Sequence, residues 1–113
     1  MEEGPPSSLR LASRKSDSTT TVLVSGELDI ATTGQLRAYV EHALAEPGTE
    51  RIVLDMRGIS FIAAAGVGLL AELRNTAVQF GSELLLGDVS PVVTRLLTLV
   101  GHAGQHPSAT ASS

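Results

Sequence analysis

Residues 52–73 read IVLDMRGISFIAAAGVGLLAEL, a stretch that runs from an apolar segment through a turn into an amphipathic pattern. The run Ile52–Leu54 is flanked by charged residues, which is typical of a strand covered on both faces. Apolar residues then recur at three- and four-residue steps from Leu69 to Phe80, so we expect a helix that starts near Gly66. A strand that leads through a loop into a helix is half of a βαβ unit, and this segment therefore predicts an α/β fold.

Similar patterns lie on both sides of this segment. They predict strands at Leu9–Arg14, Thr20–Gly26 and Leu84–Leu86, and helices at Thr33–Ala45 and Pro91–Gly101. The order β-β-α-β-α-β-α indicates a small α/β sandwich, with a mixed β-sheet, a parallel βαβαβ core and about three helices. Residues 1–8 and 102–113 are rich in small and polar residues without periodicity, so we expect disordered ends around one domain at 9–101.

The composition of the chain argues against several classes of function. The chain has 113 residues, a net charge of −4, 3% aromatic residues and no cysteine. An acidic chain with few aromatic residues is a poor nucleic-acid binder, and thiolate metal sites and disulfides need cysteine. No apolar run approaches the roughly 20 residues that span a bilayer, and the acidic, Pro-rich start does not resemble a signal peptide. We therefore expect a cytoplasmic protein that binds neither membranes nor nucleic acid.

Acidic residues follow the predicted strands, at the edge where sites gather in open α/β sheets. They are Asp29, Asp55 and Asp88. One interpretation is a small Mg²⁺-dependent phosphoacceptor protein. The other is that each carboxylate accepts backbone N–H bonds in a turn or at a helix start. Because no pair has a metal-ligand spacing such as DxD, the sequence favours the second interpretation and predicts no metal and no cofactor.

Gly66-Val67-Gly68 is a weak glycine motif. It lacks both the third glycine of a dinucleotide fingerprint and the lysine of a P-loop. We interpret Gly66 as permitting a tight turn and Gly68 as allowing the helix to pack closely on the sheet.

Two segments, VSGELDIATTGQLRAYV (24–40) and IVLDMRGISFIAAAGVGLLAEL (52–73), resemble the STAS domain of anti-sigma factor antagonists. Such domains carry a Gly-Glu-Leu-Asp stretch, a strand ending in Leu-Asp, and Phe-Ile-Asp-Ser-Ser-Gly-Leu-Gly at the start of a helix. The matching residues are Gly26, Glu27, Leu28, Asp29, Leu54, Asp55, Gly58, Phe61, Ile62, Gly66 and Gly68. The resemblance runs from about Leu9 to Gly101 and implies a STAS-like sandwich.

The resemblance also implies a function. In that family, an anti-sigma factor that is a serine kinase phosphorylates the first serine of the turn, and only the unphosphorylated antagonist binds it and frees the sigma factor. Here the aspartate and the two serines of the turn align with Ala63, Ala64 and Ala65. No hydroxyl remains at the modified position, so a phosphate charge of −1.5 to −2 cannot be added there.

The resemblance therefore predicts a non-enzymatic antagonist that binds an anti-sigma factor of serine-kinase fold and is not switched by phosphorylation. The predicted docking residues are Asp29, Ala63, Ala64, Ala65, Gly66 and Val67. The alanine turn is compatible with a constitutive antagonist, a STAS module regulated in another way, or an engineered non-phosphorylatable form. Ser60 is a weaker candidate for a substitute phosphate acceptor.

Two further expectations follow from the resemblance. One alternative function is an accessory STAS subunit of another complex, for example an ABC-type lipid transporter. Family members also continue past the third helix with a further strand and helix, and GHAGQHPSATASS, residues 101–113, predicts neither. An edge of the sheet would then be less covered, which favours a homodimer.

Overall fold

A computed structural model of the chain describes residues 8–91 and residue 95. Its elements are β1 (Leu9–Ser16), β2 (Thr19–Leu28), α1 (Thr33–Ala45), β3 (Arg51–Ile62), α2 (Ala64–Gln79) and β4 (Glu83–Val89). This order confirms the α/β prediction up to β4. The predicted third helix and the predicted disordered ends lie outside the described residues, except for Ser8, Pro91 and Arg95.

The four strands form one sheet in the order β1-β2-β3-β4. β1 is antiparallel to β2, whereas β2, β3 and β4 are parallel to one another. Because the three parallel strands are adjacent and consecutive, right-handed crossovers place α1 and α2 on the same face of the sheet. Their apolar stripes and the strands bury one aliphatic cluster, which includes Leu36, Leu73, Val22 and Leu54. We call this the helix-covered face.

The prediction that β3 and β4 are covered on both faces was wrong. In β4, Leu84 is 3% exposed on the helix-covered face, whereas Leu85 on the other face is 38% exposed. Val53 of β3, which pairs with Leu85, is half-buried on that second face. A short apolar run in the sequence does not show whether a strand is covered on one face or on both. Here both helices that connect the described parallel strands, α1 and α2, lie on the same face of the sheet. We call the second face the open face.

β3 and β4 are both longer than predicted, which moves two of the aspartates from after the strands to within them. The segment taken as a loop after Asp55 continues as strand to Ile62, and it buries Met56, Ile59 and Ile62. β3 contains a bulge at Arg57-Gly58, where residue types typical of loops occur. Leu23 pairs with Asp55 but Ser25 pairs with Gly58, so β3 has one more residue than β2 between these two pairs. Asp55 and Asp88 therefore lie inside β3 and β4 rather than after them.

The one-sided burial is testable in adjacent residues of β4. Leu84→Ala should lower the free energy of unfolding by about 2–5 kcal/mol because it opens a cavity in the core. Leu85→Ala should cost less than about 1.5 kcal/mol because that side chain is already partly in water. Urea unfolding of both variants measures the difference, and equal losses would contradict an open second face.

Candidate functional site

The alanine turn is fixed to the end of β2 by backbone hydrogen bonds. Leu28 of β2 pairs with Ile62 of β3, so Asp29 and Ala63 follow at the same rim of the sheet. The Ala63 N–H donates to the Leu28 carbonyl at 2.9 Å. The Ala63 carbonyl in turn accepts the N–H groups of Gly66 and Val67, at 2.9 and 3.2 Å, and these bonds form the first turn of α2.

Gly66 allows the start of α2 to lie close to the ends of β2 and β3. It is buried, and a Cβ added there would lie 2.9 Å from Cγ of Leu28 and 3.0 Å from Cγ1 of Ile62. A Cβ on Gly68 would meet no atom within 4 Å. The close-packing role assigned to Gly68 therefore belongs to Gly66. Since Gly66 is buried, it shapes the turn rather than exposing a surface of its own.

The start of α2 carries no polar cap. Ala63 occupies the N-cap position with extended backbone (φ −95°, ψ 169°), and it makes no side-chain capping bond. The first turn also has no acidic residue, although carboxylates and hydroxyls are favoured there. Ala64 is exposed and Ala65 is half-buried, so the turn presents methyl groups and uncharged backbone to its surroundings.

Asp29 has a structural role in the neighbouring β2–α1 loop. Its Oδ1 accepts the Ala31 N–H at 3.0 Å, and its own N–H donates to Oγ1 of Thr32 at 3.0 Å. Its carbonyl accepts the N–H groups of Thr32 and Thr33, both at 3.0 Å. These contacts form the turn-capping arrangement favoured by the sequence, and they hold the half-buried carboxylate beside the alanine turn.

Two exposed apolar side chains beside the turn were missed by sequence reasoning. Ile30 is 81% exposed and directly follows Asp29, and Phe61 is 49% exposed and directly precedes Ile62. Because Ile62 is buried under the helices, the neighbouring side chain of Phe61 points to the open face of the sheet. We use the name apolar rim for Ile30, Phe61, Ala64 and Val67, which lie close in sequence to Asp29 or Ala63. The sequence did contain a signal for them, because both are large apolar residues in segments that were predicted to be loops. Exposing such a side chain does not stabilise a free monomer, so its presence there indicates a contact surface.

Asp55 lies apart from Asp29 and is already neutralised. It sits opposite Leu23, five residues or about 16 Å along β2 from Leu28. Arg57 donates to its two carboxylate oxygens at 3.1 and 2.8 Å, whereas Asp88 is 3.9 Å from the Nε of the same guanidinium. Among residues 8–91 and 95, no three acidic or histidine side chains are placed to hold a metal ion. A magnesium phosphoacceptor site joining the three aspartates therefore lacks the geometry it needs.

Comparisons with known proteins agree with this geometry. The sequence model of the family described as "Mlab, STAS domain" matches residues 11–104. The chain belongs to the STAS-domain family. An anti-sigma F factor antagonist of Paenibacillus polymyxa is 34% identical over 80 residues, which cover 71% of this chain and 68% of that protein. This relative confirms the predicted resemblance to the anti-sigma factor antagonists within the family.

Two solved structures show the same fold. An anti-sigma factor antagonist from Mycobacterium paratuberculosis superposes with a TM-score of 0.75 at 22% identity, over 93% of this chain and 88% of that chain. The Bacillus cell fate determinant SpoIIAA in its phosphorylated form gives a TM-score of 0.63 at 22% identity, over 85% of this chain and 86% of that one. No helix in the described part of this STAS domain is long and apolar enough to cross a membrane.

Restoring the missing cap should stabilise the domain. Ala63→Asp places a carboxylate beside the free amides of the first turn of α2, so the free energy of unfolding at pH 7 should rise by about 0.5–2 kcal/mol. Ala71→Asp, at an exposed position in the middle of α2, should instead lower it by a few tenths of a kcal/mol. Urea unfolding of both variants tests this, and a loss of stability in Ala63→Asp would contradict the assigned start of α2.

The Asp55–Arg57 pair predicts a pH dependence of stability. The hydrogen bond and charge of Arg57 lower the pKa of Asp55 from its ordinary value of 3.8, and the carboxylate side chain is only 12% exposed. The ionised carboxylate therefore stabilises the fold at neutral pH, and this contribution is lost as the pH falls below about 4. The stability difference between wild type and Asp55→Asn, measured by urea unfolding at pH 7, 5 and 3, should shrink at the lowest pH. A constant difference would contradict the pairing.

Proposed function

We propose that this STAS domain is an anti-sigma factor antagonist that binds an anti-sigma factor of serine-kinase fold and releases its sigma factor. The observation that carries the proposal is the turn at 63–66, which stands at an exposed rim on a chain related to named antagonists. We propose that the domain acts as a binding module in the cytoplasm, without catalytic chemistry of its own.

Docking would use the apolar rim together with the predicted residues. Five of the predicted residues lie around the junction between β2 and α2: the exposed Ala64 and the half-buried Asp29, Ala63, Ala65 and Val67. Ile30, next to Asp29, and Phe61, two residues before Ala63, would add large exposed side chains to the contact. Burying aromatic and aliphatic side chains against a partner supplies the main part of the binding energy in such interfaces. The Leu28–Ala63 hydrogen bond and the packing of Gly66 keep the surface preformed, which lowers the entropic cost of binding.

The alanine turn would leave this surface without a charge switch. A phosphate at the position of Ala64 would sit on an exposed residue at the centre of the rim, where a docked partner would have to bury its charge. A methyl group offers no oxygen to a kinase. We therefore propose that the complex persists under conditions in which a kinase would release an ordinary antagonist.

A charge introduced at the centre of the rim tests the docking surface. Ala64→Glu should weaken binding to the anti-sigma factor at least about tenfold, measured by calorimetry, because the carboxylate loses its hydration on docking. Ala45→Glu is the matched control: Ala45 is exposed at the other end of α1, and its substitution should leave the affinity unchanged. Equal affinities for both variants would place docking elsewhere.

A second arm tests the missing switch. Adding ATP and Mg²⁺ to the wild-type complex should leave it intact and the chain unmodified, whereas the Ala63→Asp, Ala64→Ser double variant should become phosphorylated and dissociate. Phosphate on the wild-type chain, for example at the exposed Ser60, accompanied by release of the partner would refute the unswitched antagonist.

The second candidate function is an accessory STAS subunit of another assembly, such as an ABC-type lipid transporter. It is favoured by the description of the matching family, "Mlab, STAS domain", which makes no reference to sigma factors. The partner that co-purifies from the native cell separates the two candidates: a kinase-like anti-sigma factor supports the first, and an ABC-type ATPase supports the second.

A further inference from the structure

The outer edge of β1 is a regular strand edge without a partner strand in the described part of the chain, and at its start the Leu9 carbonyl accepts a hydrogen bond from Nε2 of Gln35 at 3.0 Å. β1 forms one side of the sheet, and its eight residues pair with β2 in continuous register without a bulge. The Ser8 carbonyl bonds to the Glu27 N–H, and backbone groups alternate in direction along a strand. The N–H and carbonyl groups of Leu11, Ser13 and Lys15 therefore point away from β2, where a further strand can pair with them.

Two arginines stand beside this edge on the open face. Arg10 and Arg14 flank Ala12, and all three are exposed. Neither arginine has a carboxylate within 4.0 Å among the residues that the structure describes. Besides the hydrogen bond from Arg57, the charge of Arg14 still reaches Asp55 and helps to lower the pKa of that carboxyl. Next to them a shallow depression of about 500 Å³ is lined by Arg10, Ala12 and, from β2, Leu23 and Ser25. This side of the edge is basic, although the chain as a whole carries a net charge of −4.

The helix-covered side of the same edge differs in charge. Lys15 is neutralised there by Glu46, the residue that follows α1, with Nζ 3.0 Å from Oε1. Tyr39 Oη lies 3.1 Å from Ser13 Oγ. A cavity of about 340 Å³ opens between β1 and α1, and its lining includes Ser13, Tyr39 and Ala43 together with the paired Lys15 and Glu46. A strand added at this edge would place alternate side chains in the cavity and beside the two arginines.

We propose that the edge of β1 pairs with an extended, acidic segment of a partner protein. Carboxylates at alternate positions of that segment would lie across from Arg10 and Arg14, where opposite charges stabilise neighbouring strands, and small apolar residues would enter the cavity beside Tyr39. A second copy fits less well, because antiparallel pairing of two β1 strands brings the arginines of both copies to the same face. In the register about Ala12, it sets Arg10 of one copy opposite Arg14 of the other. This surface is separate from the apolar rim and does not depend on the proposed docking there.

A peptide titration tests the proposal. The probe is a synthetic ten-residue peptide in which glutamates alternate with valines, and its control replaces every glutamate with lysine. Followed by NMR of the labelled full chain, the glutamate peptide should shift the amides of Leu11, Ser13 and Lys15, and the lysine peptide should not. No shift at millimolar peptide, shifts confined to the helices, or equal binding of both peptides would overturn the proposal.

Variants separate the charge from the backbone contribution. Arg10→Glu with Arg14→Glu should weaken peptide binding at least about tenfold, whereas Arg74→Glu, at an exposed site on α2, should not change it. Ser13→Pro removes an outward N–H while sparing the bonds to β2, so it should abolish binding, and Ser13→Ala should retain it. If the Arg10→Glu with Arg14→Glu variant binds the peptide as tightly as the wild type, the proposal of an acidic partner segment is refuted. This result would hold even if the Ser13→Pro variant fails to fold. A concentration-dependent dimer in sedimentation, with the same amides protected, would assign the edge to a second copy instead.

Discussion

The hydrogen bond from the Ala63 N–H to the Leu28 carbonyl is the constraint on which the functional surface depends. It joins the end of β2 to the start of α2, and the absence of a side chain at Gly66 lets the helix approach Leu28 closely enough to form it. The bond uses only backbone atoms, so it does not require a particular side chain at positions 63–65. The turn can therefore hold this shape with alanine at all three positions.

The three alanines determine the chemistry of this surface rather than its geometry. A helix start normally has hydroxyl or carboxylate side chains near its free amides, and α2 has none. The domain therefore gives up a local stabilisation, and the rim gains an uncharged, apolar character shared with Ile30 and Phe61. A surface of this kind is suited to a contact that stays formed, because it offers no group whose charge can be changed at its centre.

Much of the fold follows from local patterns in the sequence. The helix at Thr33–Ala45 was predicted with the bounds that the structure has, because its apolar residues recur at clear helical steps and Pro47-Gly48 follows. The full length of β3 was not predicted, because its bulge at Arg57-Gly58 carries residues that are also typical of loops. Val53 and Leu85 are covered on one side only because α1 and α2 both cross on the other face of the sheet. An apolar run of three residues does not tell on which face the connecting helices lie.

Only part of the candidate site was predicted from the sequence. Asp29 and the alanine turn were placed together because parallel neighbouring strands end at one rim, which is a rule of topology. Asp55 was placed there wrongly because its strand appeared to end at Leu54. Ile30 and Phe61 were missed because exposure of a large apolar side chain is a property of the folded surface, and no periodic pattern in the chain marks it.

Hydrogen–deuterium exchange of the complex with a serine-kinase type anti-sigma factor, in the presence of ATP and Mg²⁺, tests the central claim most directly. We expect the amides of Ala64 and Ala65, which have no capping side chain in the free domain, to become protected and to remain so throughout the incubation. Exchange at these two amides as fast as in the free domain, while the partner stays bound, would contradict docking at the alanine turn.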